Sequence, residues 1–502
     1  MRAVFYGAIL LPLLGSLAVP FGGRHFRRTL ALLISLITLL LLLLLISPVW
    51  HNHLTVPMGG GEEISGFHLF WLPDKTGLLF ALIFAFIGGL TVIYSLGYME
   101  PYPHQREYYF ILSLTIGSLV GLAFAGNLLL IYIFWEVAAI GTWRLVGFYR
   151  GPEQVKFANQ AFMMTFFGAS LMLLGFILIY REYGTFNLIE LCGEPIGGVA
   201  LSLIFLGIIA QSATLPLQTW LSDAHLMAPS PMSALLSGIV VKIGLLVFVR
   251  IFIQTVGVPY TGIIILAAIS FLVAGGGALM ETDMKKIIAY STIAQMGAII
   301  IGLGLMEKMG VTAGLLLIFA HALAKVGLVL GAGIVERSCG ERDIRQLGGL
   351  IHSLPLTGLA FLACCLSIIG LPPFLGFYGK FWLVSATIKT GHLWLAVVVI
   401  IGSVFTLLYL LRLFNAIFLG KTKLARAGEK NKLMVTGVTG ETPVLLRGVR
   451  EENKLMLVPV VILGVLSLLL GIFITYTMGL VGPAGEELVR STLPTLISGG
   501  LP

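Results

Sequence analysis

Charge is the scarcest resource in this chain. Asp, Glu, Lys and Arg make up 11% of its 502 residues, while 58% are apolar; soluble domains carry about 25% charged residues, so an ordinary water-soluble fold is excluded. Cysteine is almost missing too. Cys192, Cys339 and the adjacent Cys364 and Cys365 form no C-x-x-C pair and no His/Cys cluster, so no iron–sulfur or zinc ligation is expected and no cofactor is assigned to the chain. The thiols read as packing groups. The first apolar run lacks an extended basic leader and a small-residue cleavage site, which makes it a retained helix and not a signal peptide. A formal charge of +8 is compatible with nucleic acid, but the basic residues are spread over loops between apolar runs. Membrane orientation accounts for them, and no nucleic-acid partner is expected.

What is present is a series of apolar runs of about 17–25 residues, the length that crosses a bilayer. They lie near 2–20, 28–48, 76–98, 108–126, 127–149, 159–181, 199–220, 232–253, 261–280, 286–305, 312–335, 355–389, 394–419 and 455–479, fourteen in all. The fold class is therefore an all-α polytopic membrane protein. With the N-terminus outside, the inner loops hold Arg24, Arg27 and Arg28, then Arg106, Arg150 and Lys156, the Asp223–His225 hinge, Lys285 and Lys286, Arg337, Arg342 and Arg345, and the segment from Lys421 to Lys454. The outer loops hold His51, His53, Glu62, Glu63, Glu190, Glu194, Glu486 and Glu487. This bias follows the positive-inside rule and places both termini outside a cell membrane. His51, His53 and His68 lack a cysteine or paired carboxylate at ligand spacing, so that outer segment reads as a solvated loop.

Several titratable groups sit too deep in these runs to reach water easily. Lys242 follows about ten apolar or small residues within the stretch Leu206–Arg250, and an ammonium at such depth marks a functional position. Glu136 lies in IYIFWEVAAIGTWRLVGF and must be paired or protonated. Arg144 is eight residues further, about 12 Å along a helix axis, and offers a cation to hold it ionised. His321 and Lys325 are four apart on one helix face and read as a polar relay. Two runs are interrupted by proline, one at Leu215-Pro216 and one at Leu371-Pro372-Pro373, with Lys380 just past the second break. Paired interruptions at corresponding positions point to inverted repeats around an ion path. The organisation expected is N-terminal helices over 1–107, two five-helix repeats over 108–253 and 261–419, a basic cytoplasmic loop over 420–454 and a last helix with its tail over 455–502.

The ordered block PLQTWLSDAH, APSPMSALLSG and KIG, preceded by YSLGYM at 94–99, resembles the antiporter-like, proton-translocating membrane subunits of respiratory complex I, of membrane-bound hydrogenases and related archaeal complexes, and of Mrp-type cation/proton antiporters. The likeness is closest to the hydrogenase type, since the chain lacks the long lateral helix of the largest members. Ser222 stands where the family hinge usually has proline. The resemblance implies that Glu136 is the glutamate of the fifth helix, Lys242 the central lysine of the eighth, His321 and Lys325 the H-A-x-x-K pair, and Lys380 the lysine of the broken twelfth helix. It also exposes a departure: the lysine that pairs with the fifth-helix glutamate is here Gln211, which carries no proton. Arg144 is then expected to supply the missing charge, but a guanidinium does not release protons.

The resemblance implies an ion-translocating subunit, moving protons and possibly coupled to sodium, driven by redox chemistry in partner subunits that carry a soluble arm, beside further antiporter-like subunits in the lipid bilayer. Two alternatives stay open: a structural subunit that lost pumping through Gln211, and a stand-alone ion or solute transporter.

Overall fold

A computed structural model describes residues 1–51, 70–257, 260–420, 435–436, 443–444, 451 and 453–490. The outer-loop residues His53, Glu62, Glu63 and His68, and nearly all of the basic loop 420–454, lie outside the described residues.

The described chain is a helical assembly. In order, α1 is Arg2–Phe21, α2 Arg24–Trp50, α3 Lys75–Tyr98, α4 Gln105–Ala123, α5 Leu128–Val146, α6 Pro152–Tyr183, α7 Gly198–Gln211, α8 Thr219–Met227, α9 Ser230–Val256, α10 Thr261–Met280, α11 Met284–Gly304, α12 Lys308–Cys339, α13 Pro355–Ile369, α14 Leu375–Lys389, α15 Leu393–Phe418, α16 Lys454–Ile472 and α17 Ile474–Arg490. Among the described residues, 11 helices are long and apolar enough to cross a membrane. The other three apolar runs of the sequence are α4 and the two that the structure breaks, 199–220 into α7 and α8, and 355–389 into α13 and α14.

Burial sorts these helices into an inner and an outer set. The best apolar window of α9 is wholly buried and those of α11 and α12 are 94% buried, whereas those of α1 and α2 are 33% buried and those of α6 and α15 are 39% buried. Helices that are apolar all round either fill a core or face lipid. Lys242, His321 and Lys325 fall on the inner set and Lys380 on a broken helix, whereas Glu136 and Arg144 fall on α5.

Helix starts repeat through the chain at one interval. From α4 to α10 the first residue moves from 105 to 261, from α5 to α11 from 128 to 284, and from α6 to α12 from 152 to 308, each a step of 156. The details follow. Asn127 caps α5 and bridges to Asn187, while Asp283 caps α11 and bridges to Asp343, again 156 apart. Helices α6 and α12 each run 32 residues and each end on a left-handed glycine, Gly184 and Gly340, where a side chain would be strained. Both breaks carry proline, which has no amide proton to donate. At the first, the freed carbonyl of Ala210 is taken by the Trp220 indole at 2.8 Å.

Two features depart from the sequence reading. The last run does not end near 479. It turns at Phe473 and continues as α17, which packs on α3 and α12 and brings the tail carboxylates Glu486 and Glu487 back to the body. The second is a buried clamp between α3 and α9. Asp74 caps α3 through the Gly77 amide and receives both terminal nitrogens of Arg250, one at 2.8 Å. Gln254 donates to the same carboxylate at 3.0 Å, and Arg250 also donates to the Ala123 carbonyl at 2.7 Å. Glu487 lies beside this clamp, 3.9 Å from Lys75.

Two outcomes follow from this clamp. Asp74→Ala strands the Arg250 guanidinium without a counter-charge, and breaking a buried pair from one side costs about 3–5 kcal/mol; thermal unfolding in detergent should show the loss, and a wild-type melting point would dismiss the clamp. Burial, with the like charge of Asp74 next, pushes the Glu487 carboxyl up to about 8. The folded state therefore binds the extra proton between its unfolded value, near 4.5, and about 8, and stability falls as pH rises through that window. Glu487→Gln should flatten this pH dependence of the melting point; an unchanged slope would count against it.

Candidate functional site

The site is built where the helical backbone is irregular. Residues Leu236–Val240 of α9 form a π-helical turn immediately before Lys242, the kind of distortion that recurs at functional positions because it releases backbone groups. Lys242 is fully buried. Its Nζ donates to the Ser237 carbonyl at 3.1 Å and meets Nδ1 of His321, on α12, at 2.9 Å. When the ammonium donates, Nδ1 is the acceptor and the ring proton rests on Nε2, an atom with no partner.

Lys325 lies one turn beyond His321 on α12, about 6 Å along the axis. It is fully buried and donates to the Ile288 carbonyl of α11 at 3.2 Å. The charges of Lys242 and Lys380 both bear on it. Lys380, on α14, reaches back across the second break to the Ile369 carbonyl, the last residue of α13, at 3.1 Å. A cation at a helix C-terminus also meets the negative end of the helix dipole. The stem of Lys380 crosses Gly370, where a Cβ would come within 2.8 Å of its Cδ. Pro372 and Pro373 sit in the same break, and Pro216 sits in the break after α7. The structure thus brings Lys242, His321, Lys325 and Lys380 into one buried row.

Glu136 stands apart from that row. It is half-buried on α5, and its Oε1 has no hydrogen-bond partner. Among the described residues it has no ion-pair partner. The expectation that Arg144 supplies its cation is not met. Two helical turns carry the guanidinium toward the end of α5, where it pairs with Glu107, which also receives Arg150 at 2.7 Å, and donates to the Gly147 carbonyl at 3.3 Å. Gln211 is buried at the end of α7 and donates to the Val240 carbonyl at 3.4 Å, leaving its own oxygen unpartnered.

Three groups near the row were not assigned to it from sequence. Lys285, expected at the membrane interface, is buried and pairs with Glu336 at 2.8 Å. Ser230 donates to the same carboxylate at 3.2 Å, and Arg342 lies 3.7 Å from it. His225, read as part of an inner hinge, is fully buried with both ring nitrogens unpartnered, within electrostatic reach of Lys285 and Lys325. Thr292 meets Ser237 at 2.6 Å across α11 and α9. A buried histidine in the hinge was the one signal the sequence offered; the ion pair joins residues 51 apart and left none.

Comparison with known proteins places this arrangement. Residues 125–406 match the transmembrane family described as NADH:quinone oxidoreductase/Mrp antiporter. The chain is 29% identical over 505 residues to the Na(+)/H(+) antiporter subunit A1 of Staphylococcus haemolyticus and 28% identical over 506 residues to that of Staphylococcus aureus, covering 93% of this chain in each case. It spans 60% of the length of these curated relatives. Its fold superimposes on a chain of the Mrp complex from Dietzia sp. DQ12-45-1b with a TM-score of 0.86 at 23% identity, covering 98% of both chains. A chain of the membrane-bound sulfane sulfur reductase, an archaeal respiratory membrane complex, matches with a TM-score of 0.84 at 25% identity, covering 99% of this chain and 100% of that one. The likeness is to antiporter-like subunits of multisubunit membrane complexes, and with more than half of its length matched, this chain belongs to the NADH:quinone oxidoreductase/Mrp antiporter transmembrane family.

Proposed function

We propose that the chain is an ion-translocating subunit of a multisubunit complex in the cytoplasmic membrane, and that it moves protons along Lys242, His321, Lys325 and Lys380. The observation that carries this reading is the 2.9 Å contact between two fully protein-enclosed bases, Lys242 and His321, with the far ring nitrogen unpartnered. Its partners matter as much as its length. The three amines of the row rest on backbone carbonyls of Ser237, Ile288 and Ile369 and on an imidazole. Among the described residues no carboxylate is hydrogen-bonded to them to fix the charge. Moving one proton against 100 mV costs about 2.3 kcal/mol, within reach of the repulsion between neighbouring like charges in a poorly solvated interior.

The side chains of the row are nitrogen bases, and hard cations prefer oxygen ligands, so the row is read as a proton path. Exchange against sodium is supported by the similarity to Na(+)/H(+) antiporter subunits. Redox drive from partner subunits is supported by the similarity to a chain of an archaeal respiratory membrane complex, and the proposal assigns cofactors to a soluble arm of those partners and none to this chain. Glu136, without an ion-pair partner, and Gln211 favour a first half that does not pump by itself. The loop charges support an orientation with both termini outside.

Lys242→Ala and Lys380→Ala should each lower proton uptake into vesicles holding the assembled complex by about a hundredfold or more, the usual scale for removing a proton-transfer group. Gln211→Leu should leave the rate unchanged. Wild-type uptake in both lysine variants would favour a structural, non-pumping subunit, and full transport by the purified chain alone would favour a stand-alone transporter.

A further inference from the structure

Outside the proton row, a charged cavity lies at the end of the molecule where α2 begins. It measures about 570 Å³ and is lined by Arg24, Arg27, Tyr102, Arg106 and the carboxylates Glu100 and Glu107. Its floor is fixed: the Gln105 amide donates to the carbonyls of Met99 and Glu100, at 2.8 and 3.1 Å, and holds the turn between α3 and α4. The carboxylates are already engaged. Glu107 serves Arg144 and Arg150, and Glu100 lies 3.7 Å from Arg24 and 3.8 Å from Arg28. Arg27 and Arg106 face the cavity and, among the described residues, pair with no carboxylate. Arg24 and Arg106 are close enough to Arg27 for their like charges to bear on it, and the Arg27 Nε is buried with no hydrogen-bond partner.

Converging guanidiniums repel one another unless an anion lies between them, and their planar forks match phosphate oxygens. The same cavity opens beside an apolar surface. Phe26, Leu33, Ile37, Leu40 and Leu44 of α2 are all exposed and recur at helical spacing from the arginines onward, so they form one continuous stripe. The stripe is on a helix of the outer, lipid-facing set, so the cavity sits at the edge of the bilayer, where anionic headgroups are within reach of the arginines. A lipid uses both.

We propose that this cavity seats the phosphodiester headgroup of an anionic membrane lipid, with its acyl chains lying along the exposed stripe of α2. Arg27 and Arg106 bind the phosphate, Gln105 holds the floor, and Phe26 sits at the boundary between headgroup and acyl chains.

The test uses the full chain, delipidated in detergent and mixed with phosphatidylglycerol or phosphatidylcholine, with retained lipid read by native mass spectrometry. Phosphatidylglycerol should be held preferentially, and the double variant Arg27→Gln/Arg106→Gln should bind it about thirtyfold more weakly, the effect of two basic residues near a membrane surface. Arg345→Gln, which removes a 71% exposed arginine from a loop after α12, should change nothing. If the glutamine pair elutes as aggregate, Arg27→Lys/Arg106→Lys keeps the charge and should retain the preference. Equal retention of the two lipids, or undiminished phosphatidylglycerol in a folded glutamine pair, would overturn the proposal. So would loss of the preference in the lysine pair. Displacement of the lipid by millimolar inorganic phosphate would reassign the cavity to a soluble anion, and crosslinking of a photoreactive residue at Phe26 to a partner subunit would reassign the stripe to a protein contact.

Discussion

A hydrocarbon layer offers no hydrogen bonds, so every polar group carried into it must find its partner inside the protein. This constraint divides the buried charges of the chain into two kinds. Arg250 is answered by a full carboxylate, Asp74, with the Gln254 side-chain oxygen and a backbone carbonyl accepting further bonds from its terminal nitrogens. Such a group is fixed in charge and ties α3 to α9. Lys242, Lys325 and Lys380 are answered by backbone carbonyls and one imidazole. A neutral partner stabilises an ammonium less than a carboxylate does, and it leaves an amine satisfied after the proton has gone. The same requirement for internal partners thus yields a static clamp at one place and an exchangeable row at another.

Irregular backbone is what makes neutral partners available. A regular helix consumes its own carbonyls four residues apart, and only its last turn leaves them free. The end of α13 presents Ile369 to Lys380, and the π-helical turn of α9 presents Ser237 to Lys242. At the other break the Trp220 indole occupies the carbonyl of Ala210, and the neighbouring position holds Gln211. The two breaks therefore share a backbone design while differing in what they hold: an ammonium at one and neutral groups at the other.

Much of this was legible in sequence because membrane depth is a one-dimensional property. A run of apolar residues around Lys242 says that the lysine is buried, whatever the fold, and prolines at 216, 372 and 373 mark breaks for covalent reasons. Direction and pairing were not legible. Arg144 is near Glu136 in sequence, but two helical turns send its guanidinium toward Glu107. Asp74 and Arg250 are 176 residues apart, and Asp74 stands at the edge of an outer loop where a solvated carboxylate is the ordinary reading. Lys285 sits two residues from a helix cap and looks exposed until Glu336, from another helix, covers it. The turn at Phe473, which returns Glu487 to the body, has no proline or glycine at its centre to announce it.

The constant interval of 156 residues between corresponding helices lets each residue of one half be compared with its counterpart in the other. His321 corresponds to Thr165, Lys325 to Ala169 and Lys380 to Ala224, while Glu136 corresponds to Thr292. The same scaffold has been written twice and furnished differently. A repeated framework lets the two versions differ in chemistry, because the helix geometry of each does not depend on the side chains that the other carries. Of the row, His321, Lys325 and Lys380 lie in the later copy and Lys242 in the earlier one, together with Glu136; the two copies agree in backbone and differ in which side chains can hold a proton.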